Sequence, residues 1–252
     1  MSQRFTGKVV LITGGGSGIG RATALAFASE GATVAVAGRR TEPLDETVGL
    51  IVAEGGQATA IPADVSAPAD AERLVTTTVS RYGGLHIAFN NAGIIEAGPL
   101  AEMDEDRWDR QLAVNLTGVF LAMKHEINHM RANGGGVIIN TASNVGAHMR
   151  LPSLGAYAAS KAAVSALTRA AAREYIDAGV RINAISPGPI DTPMSLRPGE
   201  TEADRAERLK TALPAGRPGT VSEAAAAVLW LASPEAGFTV GHDLVIDGGA
   251  TA

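Results

Sequence analysis

Short apolar stretches alternate with longer stretches of helical periodicity along almost the entire chain. The apolar stretches predict β-strands at residues 9–13, 33–37, 58–61, 85–89, 137–141, 180–185 and 243–246. The helical pattern predicts α-helices at residues 21–29, 42–54, 67–82, 105–131, 156–177 and 222–232. Strands separated by single helices pair in parallel, and continuously apolar strands have helices on both faces. The pattern therefore predicts a three-layer, doubly wound α/β fold around a central parallel sheet of about seven strands.

One stretch interrupts this alternation before the last strand. Residues 187–218 are rich in proline, glycine and charged residues around a short helical pattern at residues 202–213. A connection of that length inside a compact domain is usually functional. We predict a single domain over residues 1–252, with a substrate lid at residues 189–218.

Composition and charge exclude several classes of protein. The 252 residues carry a net charge of −5 and lack the basic runs that bind nucleic acid or an anionic membrane. The chain has no cysteine, which excludes disulfides, thiolate catalysis and cysteine–metal sites. Residues 1–8 show no secretory signal, and no apolar run approaches the roughly 18 residues of a membrane span. We expect a cytoplasmic protein with neither a nucleic-acid nor a membrane partner.

A glycine-rich turn connects the first predicted strand to the first predicted helix. Its spacing departs from G-x-G-x-x-G, because Ile19 stands where the third glycine would be. Closely spaced glycines still let the backbone approach a pyrophosphate, and the helix N-terminus offers free N–H groups, as in a Rossmann fold. The alternative is a turn that only packs the helix onto the strand. The candidate dinucleotide-binding residues here are Gly14, Gly16, Ser17, Gly18, Ile19 and Gly20.

Two arginines follow the second predicted strand, where the adenine ribose of a dinucleotide would lie. Arg39 and Arg40 occupy this position, and no carboxylate is present to hold a 2′-hydroxyl. Guanidinium groups are suited to a 2′-phosphate, which favours NADP(H), with NAD(H) also possible. The alternative is that both arginines only face solvent at the start of a helix.

A tyrosine and a lysine share one face of the predicted helix at residues 156–177. Tyr157 and Lys161 are four residues apart, so both project from the same side. A phenol is a weak acid–base group at neutral pH, and a nearby ammonium or an oxidised nicotinamide favours the phenolate. Ser143, just past the fifth predicted strand, could hydrogen-bond the substrate oxygen that Tyr157 protonates.

With these residues in view, the chain resembles the short-chain dehydrogenase/reductase family, in its compact single-domain branch. The resemblance covers essentially the whole chain. It rests on the T-G-x-x-x-G-x-G turn at residues 13–20 and on Asp64, Val65, Asn90, Asn91, Ala92, Gly93, Asn115, Ser143, Tyr157, Lys161, Pro187 and Gly188.

This resemblance implies an NAD(P)(H)-dependent oxidoreductase that moves a hydride between a nicotinamide and a carbonyl or secondary-alcohol carbon. Tyr157 would be the general acid–base, and Lys161 would hold the nicotinamide ribose and lower the pKa of Tyr157. Ser143 would orient the substrate, and Asn115 would anchor a water that leads protons to Lys161. The other implied cofactor-binding residues are Asp64 and Val65 at the adenine, Asn90, Asn91, Ala92 and Gly93 near the ribose, and Pro187, Gly188, Ile190 and Thr192 toward the nicotinamide.

Two features depart from the family pattern. Tyr157 lies fourteen residues after Ser143 (157 − 143), where the family has thirteen, which predicts a longer substrate loop near residues 147–151. Ser17 stands where many NADP(H)-preferring relatives carry a basic residue in the glycine turn. The substrate pocket would be lined by Ile94, Ile95, Glu96, Val145, His148, Met149, Pro189 and Met194.

A histidine pair in the predicted long helix matches the zinc-protease motif H-E-x-x-H. His125 and His129 match it, but the helical wheel puts both opposite an apolar face, toward solvent. That face comprises Leu116, Val119, Phe120, Met123, Ile127 and Met130. We expect no metal site. His148 either forms a local hydrogen bond or faces the substrate from the longer loop.

Two hypotheses of function differ in class. The first is a carbonyl reductase or alcohol dehydrogenase with a small-molecule substrate. The second is a catalytically silent nucleotide-binding sensor or scaffold, which would have no need to retain Ser143, Tyr157 and Lys161 together. The resemblance further implies a homotetramer, with interfaces at the alanine-rich helix, the long helix before it and the C-terminal segment 241–249.

Overall fold

A parallel sheet forms the centre of the molecule in its computed structural model. The structure describes residues 3–197 and 199–252, and in these ranges seven strands pair in the order β3-β2-β1-β4-β5-β6-β7. The strands are β1 Val9–Thr13, β2 Thr33–Gly38, β3 Gln57–Pro62, β4 Ile87–Asn90, β5 Gly136–Thr141, β6 Val180–Pro187 and β7 Asp243–Ile246. Every pair is parallel, so the predicted doubly wound Rossmann sheet is confirmed.

Helices cover both faces of the sheet, as continuously apolar strands require. They are α1 Gly18–Ser29, α2 Thr41–Ala53, α3 Pro68–Tyr82, α4 Glu105–Leu112, α5 Gly118–Ala132, α6 Asn144–Ala147, α7 Gly155–Tyr175, α8 Glu202–Ala212 and α9 Val221–Ala232. One core packs α3, α5 and α7 against the sheet, and the other packs α1, α2 and α9 against the opposite face.

The predicted long helix at residues 105–131 is in fact divided. A turn of π-helix at Ala113–Thr117 separates α4 from α5. A π-turn accommodates an extra residue without interrupting the helical hydrophobic pattern, so the pattern could not reveal it. The strand predicted at 85–89 is also wrong at its ends, because β4 spans Ile87–Asn90.

The apolar face predicted for this region needs one correction. Phe120 was expected in the core, but its side chain is 50% exposed on α5. Val119, Met123, Ile127 and Met130 are buried as expected. Among residues 3–197 and 199–252, no helix has both the length and the apolar character that a membrane crossing requires.

A polar network lies within the core between α5 and α7. The Asn90 side-chain amide donates to Glu126 Oε2 and to Asn140 Oδ1, each at 3.0 Å. The Asn140 amide donates to Thr168 Oγ1 at 2.9 Å. The Asn90 side chain thus joins core residues, and its predicted place along the cofactor stays a prediction. Burial raises the pKa of the Glu126 carboxyl to about 7.

We predict that Glu126→Gln removes a pH dependence of stability. Glu126 ionises near 4.5 in the unfolded chain and at about 7 in the native one, so the wild type loses stability as pH rises through this interval. The loss should total roughly 3 kcal/mol and level off above the native pKa. Urea unfolding at pH 5 and pH 8 measures it. An equal pH dependence in both proteins would contradict the proposed buried carboxyl.

Candidate active site and dinucleotide cleft

Three buried polar side chains meet beyond the carboxyl end of β5, next to the start of α7. Ser143 lies two residues after the end of β5 and caps α6, since its Oγ accepts the Val145 N–H at 3.2 Å. Tyr157 and Lys161 lie on one face of α7, and the Lys161 Nζ is 5.9 Å from the centroid of the Tyr157 ring. The sequence predicted this grouping, and the structure brings all three together.

Burial controls the protonation of both α7 residues. It lowers the pKa of the Lys161 ammonium to about 8, while Lys161 Nζ donates to the Thr141 carbonyl at 2.7 Å. It also raises the pKa of the Tyr157 phenol, and the hydrogen bond with Ser143 opposes that rise. The polypeptide alone therefore shifts the pKa of Tyr157 opposite to the predicted direction, because the loss of hydration outweighs the hydrogen bond with Ser143.

Asn115 is held by the π-turn and faces the loop after β4. Its amide group pairs with the backbone of Ile94 in both directions, donating to the carbonyl and accepting from the N–H, each at 2.9 Å. It also donates to Ser160 Oγ at 3.2 Å. Gly93 lies between Asn115 and Lys161, with its Cβ position 3.4 Å from Asn115 Oδ1 and 3.5 Å from Lys161 Nζ. Asn115 thus fixes the loop beside the Lys161 ammonium.

The glycine turn has the shape that a close backbone approach requires. Gly14 has φ of 68°, and a Cβ there would lie 2.8 Å from Asn91 Nδ2. A Cβ on Gly20 would collide with the Gly14 carbonyl oxygen. Helix α1 begins within the turn at Gly18, three residues earlier than predicted (21 − 18), and Ser17 at its N-cap makes no side-chain capping bond. The first N–H groups of α1 therefore lie at the turn, as anion binding needs.

Two residues that the sequence did not single out hold this turn. Arg21 donates from Nη2 to the Gly16 carbonyl at 2.6 Å and to the Pro43 carbonyl at 3.1 Å. Thr47 donates to the Gly15 carbonyl at 3.0 Å. Both act on backbone carbonyls, so no residue-type pattern indicated them. They join the turn to α2.

Asn91 also acts on the turn. Its side-chain amide donates to the Thr13 carbonyl at 3.1 Å, and its backbone N–H donates to Thr13 Oγ1 at 3.0 Å. Ala92 N–H donates to the same hydroxyl at 3.1 Å. The Asn91 side chain therefore joins the two loops, and its cofactor contact stays a prediction.

A cleft of about 400 Å³ opens above the ends of β1, β2 and β4. Nine of the predicted cofactor residues line it: Gly14, Gly16, Ser17, Arg39, Arg40, Asp64, Val65, Ala92 and Gly93. Further wall residues, not predicted as cofactor contacts, are Gly38, Pro43, Leu44, Ala63, Ile94 and Val114. Asp64 is fixed in the wall because Ser66 donates to its Oδ1 at 2.6 Å.

The two arginines lie at the far end of this cleft. Arg39 and Arg40 are exposed, and Arg40 occupies the N-cap position of α2. Neither pairs with a carboxylate in the described ranges. Both guanidinium groups are thus available to an anion in the cleft.

The predicted nicotinamide-side residues follow β6. Pro187 is the last residue of β6, and the Gly188 N–H donates to the Ile246 carbonyl at 3.1 Å. Ile190 is buried against Gly219. Thr192 Cγ2 lies 3.1 Å from the Cβ position of Gly18, so the segment after β6 reaches across to the glycine turn. Ile19, by contrast, packs against the core.

Two residues of the predicted substrate pocket are engaged elsewhere. Glu96 pairs with Arg107 at 3.1 Å and with Arg110 at 2.6 Å, and these arginines hold the pKa of its carboxyl below the usual range. His148 Nε2 is 3.1 Å from Asp243 Oδ2, which corresponds to the local hydrogen bond rather than to a substrate-facing ring. Ile95 and Met194 are exposed at this end of the sheet.

The histidine pair on α5 does not lie in solvent as predicted. His125 and His129 are both half-buried, and His129 Nε2 accepts the Leu85 N–H at 3.2 Å. In the described part of the chain, no three histidine, aspartate or glutamate side chains are grouped as metal ligands.

Comparison with known proteins identifies the family. The family model described as enoyl-(acyl carrier protein) reductase matches residues 14–251. Cyclohexanol dehydrogenase of Acinetobacter sp. (strain SE19) is 43% identical over 252 residues, covering 100% of this chain and 98% of that protein. A 2,5-dichloro-2,5-cyclohexadiene-1,4-diol dehydrogenase of Sphingobium indicum is 42% identical and covers 98% of each. Levodione reductase of Leifsonia aquatica is 40% identical and covers 100% of this chain and 97% of that protein.

Solved structures agree. Levodione reductase superposes with a TM-score of 0.93 at 39% identity, covering 98% of this chain and 99% of that one. A short-chain type dehydrogenase/reductase from Mycobacterium marinum has a TM-score of 0.93 at 38% identity, with 98% and 97% covered. A short chain dehydrogenase from Burkholderia cenocepacia J2315 in complex with NADP has a TM-score of 0.91 at 34% identity, with 99% and 100% covered.

The relatives are named as dehydrogenases and reductases, which overturns the hypothesis of a silent sensor or scaffold. The cleft and the buried serine, tyrosine and lysine are consistent with that chemistry. The chain belongs to the short-chain dehydrogenase/reductase family and is an oxidoreductase of the CH–OH/C=O class.

Proposed function

We propose that this enzyme interconverts an alicyclic ketone and its secondary alcohol with NADP(H), Tyr157 being the general acid–base. The observation that carries the proposal is the grouping of buried Ser143, Tyr157 and Lys161 beside a cleft that begins at a glycine turn. NAD(H) is the alternative cofactor.

The residues present fit a dinucleotide. The glycine turn leaves room where side chains would otherwise stand, and the start of α1 offers N–H groups to a pyrophosphate. Asp64 and Val65 would flank the adenine, and Arg39 and Arg40 would take a 2′-phosphate. At the other end, we propose Lys161 at the nicotinamide ribose. The remaining contacts would come from Gly18, Ile19, Gly20, Asn91, Ala92, Gly93, Pro187, Gly188, Ile190 and Thr192.

The chain's own groups would handle the proton. The bound nicotinamide would supply or accept the hydride. Tyr157 gives its phenolic proton to the carbonyl oxygen in reduction and takes one back in oxidation. Ser143 donates a hydrogen bond to the same oxygen and holds it toward the phenol. Because the side-chain amide of Asn115 is paired with Ile94, its backbone carbonyl would anchor the water that leads protons to Lys161.

Burial keeps Tyr157 in the protonation state that the reductive step uses. The raised pKa of Tyr157 keeps the phenol protonated at neutral pH, and so able to donate its proton to a carbonyl oxygen. Oxidation needs the phenolate, which the positive charge of an oxidised nicotinamide beside Lys161 would stabilise.

The substrate class rests on two observations. Exposed apolar side chains project from loops at the active-site end of the sheet: Ile95, Leu100, Leu151 and Met194. The relatives named above include enzymes for cyclohexanol and for a cyclohexadiene diol. An apolar six-membered carbon ring that carries one oxygen substituent would suit a pocket entrance lined by these side chains.

We also propose how the chain is organised around the active site and how its copies assemble. Residues 189–218 would form a substrate lid on a single domain spanning residues 1–252. Homotetramer formation is supported by exposed Phe120 on α5 and by exposed Trp230, Phe238 and Val240 near β7. We propose a cytoplasmic location for the protein, because a diffusible dinucleotide must be recycled by other enzymes in the same compartment.

Tyr157→Phe should abolish turnover, because the proton donor is lost while the ring remains. We expect kcat to fall by about 100-fold or more, with the dissociation constant of NADPH largely unchanged. Steady-state kinetics and fluorescence titration measure the two quantities. Activity retained in a variant of unaltered melting temperature would remove Tyr157 from the mechanism.

Arg39→Ala should weaken NADPH binding more than NADH binding. Loss of one charge-assisted contact to the 2′-phosphate predicts a difference on the order of tenfold. Arg131→Ala removes an exposed arginine of α5 and serves as the control for net charge. Titrations that follow the cofactor emission measure both. Equal losses for the two cofactors would refute the 2′-phosphate contact.

Cyclohexanone should be reduced with a higher kcat/KM than 2-hexanone. Both have six carbons, but the ring has fewer rotatable bonds to immobilise in an apolar pocket, which predicts an advantage of about tenfold. Initial rates with each ketone and NADPH test this. A preference for the linear ketone would refute the alicyclic substrate class, and no turnover of any ketone or alcohol would refute the proposed function.

A further inference from the structure

A buried carboxylate on the edge strand gathers three parts of the active site. Asp243, the first residue of β7, has a side chain only 2% exposed. Its oxygens accept from Ser165 Oγ at 2.6 Å, from Ser186 Oγ at 2.5 Å and from His148 Nε2 at 3.1 Å. A buried carboxylate needs hydrogen-bond donors, and Asp243 has three of them.

Each donor belongs to a segment that carries reacting or binding groups. Ser165 lies one turn beyond Lys161 on α7. Ser186 immediately precedes Pro187 at the end of β6. His148 belongs to the loop that starts at Ser143. Asp243 therefore connects this loop to the helix of the acid–base pair.

Residues 144–149, which include His148, fold back on themselves after Ser143, and we call this segment the fold-back. The Gly146 N–H donates to the Met149 carbonyl and the Met149 N–H donates to the Asn144 carbonyl, each at 2.8 Å. Gly146 has φ of 144°, and a Cβ there would lie 3.0 Å from the Ala158 carbonyl oxygen of α7. Beyond β7, Asp247 Oδ2 lies 3.3 Å from Asn144 Nδ2. Two carboxylates at the two ends of β7 thus hold this fold-back.

The fold-back determines where the serine hydroxyl points. Ser143 Oγ accepts the Val145 N–H, so a shift of the loop moves the hydroxyl with it. This loop is also where the chain must absorb the residue that makes the spacing from Ser143 to Tyr157 fourteen (157 − 143).

We propose that His148 is a positioning residue, which, through Asp243, fixes the fold-back and keeps the Ser143 hydroxyl facing Tyr157. The inference rests on the proposed function in taking Ser143 and Tyr157 as the groups that act on the substrate. The imidazole forms its hydrogen bond with Asp243 rather than with either of them.

The test compares three variants of the full-length protein. His148→Phe keeps a ring but removes the donor, whereas His148→Gln restores an N–H donor at a similar reach. Ser165→Ala removes another donor to the same oxygen of Asp243 without touching the loop. With NADPH and cyclohexanone, we expect His148→Phe to lower kcat by about 10- to 100-fold, with an unchanged dissociation constant for NADPH. His148→Gln should recover most of the activity, and Ser165→Ala should keep it.

Wild-type kcat in His148→Phe would overturn the proposal. So would equal losses in all three variants, since these would indicate a general weakening of the Asp243 cluster. If the wild type itself reduces no ketone, the proposed function fails, and amide hydrogen exchange still tests the positioning. The Gly146 and Met149 amides should then exchange faster in His148→Phe than in the wild type and His148→Gln. Unchanged exchange would refute the role of His148.

Discussion

The hydrogen bonds between Thr13 and Asn91 hold together the two loops on which the site is built. Strands β1 and β4 are neighbours, but the chain leaves their ends toward opposite faces of the sheet, and a cleft opens between the departing loops. The Thr13 hydroxyl accepts two backbone N–H groups from the second loop, and the Asn91 amide returns a bond to the first. Where the two loops diverge, no neighbouring strand continues beside them. Their backbone N–H and C=O groups would otherwise lack hydrogen-bond partners. This link joins the glycine turn to the loop that carries Gly93.

The protein uses burial, more than charge, to control its acid–base groups. Removing Tyr157 and Lys161 from water disfavours the ionised form of each, so the pKa of the phenol rises and that of the ammonium falls to about 8. Glu126 follows the same rule in the core beneath. A ligand that brings a positive charge into this region meets little screening by water and therefore has a large effect on the phenol. The protein supplies a site whose ionisation depends strongly on what is bound.

Much of this architecture could be predicted from the sequence because it depends on residue type and spacing. Apolar runs indicated the parallel sheet, and the glycine turn and the spacing of Tyr157 and Lys161 indicated the candidate site. The π-turn at Ala113–Thr117 was missed because the helical hydrophobic pattern continues through it. The sign of the pKa shift of Tyr157 was missed because neighbouring charges can be inferred from sequence and the depth of burial cannot. The partners of His148 and Glu96 lie on other segments of the chain, so only the folded structure could identify them.

The attachment of the glycine turn to α2 has a consequence for coenzyme engineering. Arg21 and Thr47 connect the turn to the helix that starts next to Arg39 and Arg40. The carbonyls of Gly15 and Gly16 therefore share one hydrogen-bond network with the start of α2. With a dinucleotide bound as proposed, a change of coenzyme preference would therefore call for transplanting the glycine turn and the start of α2 together rather than exchanging single side chains.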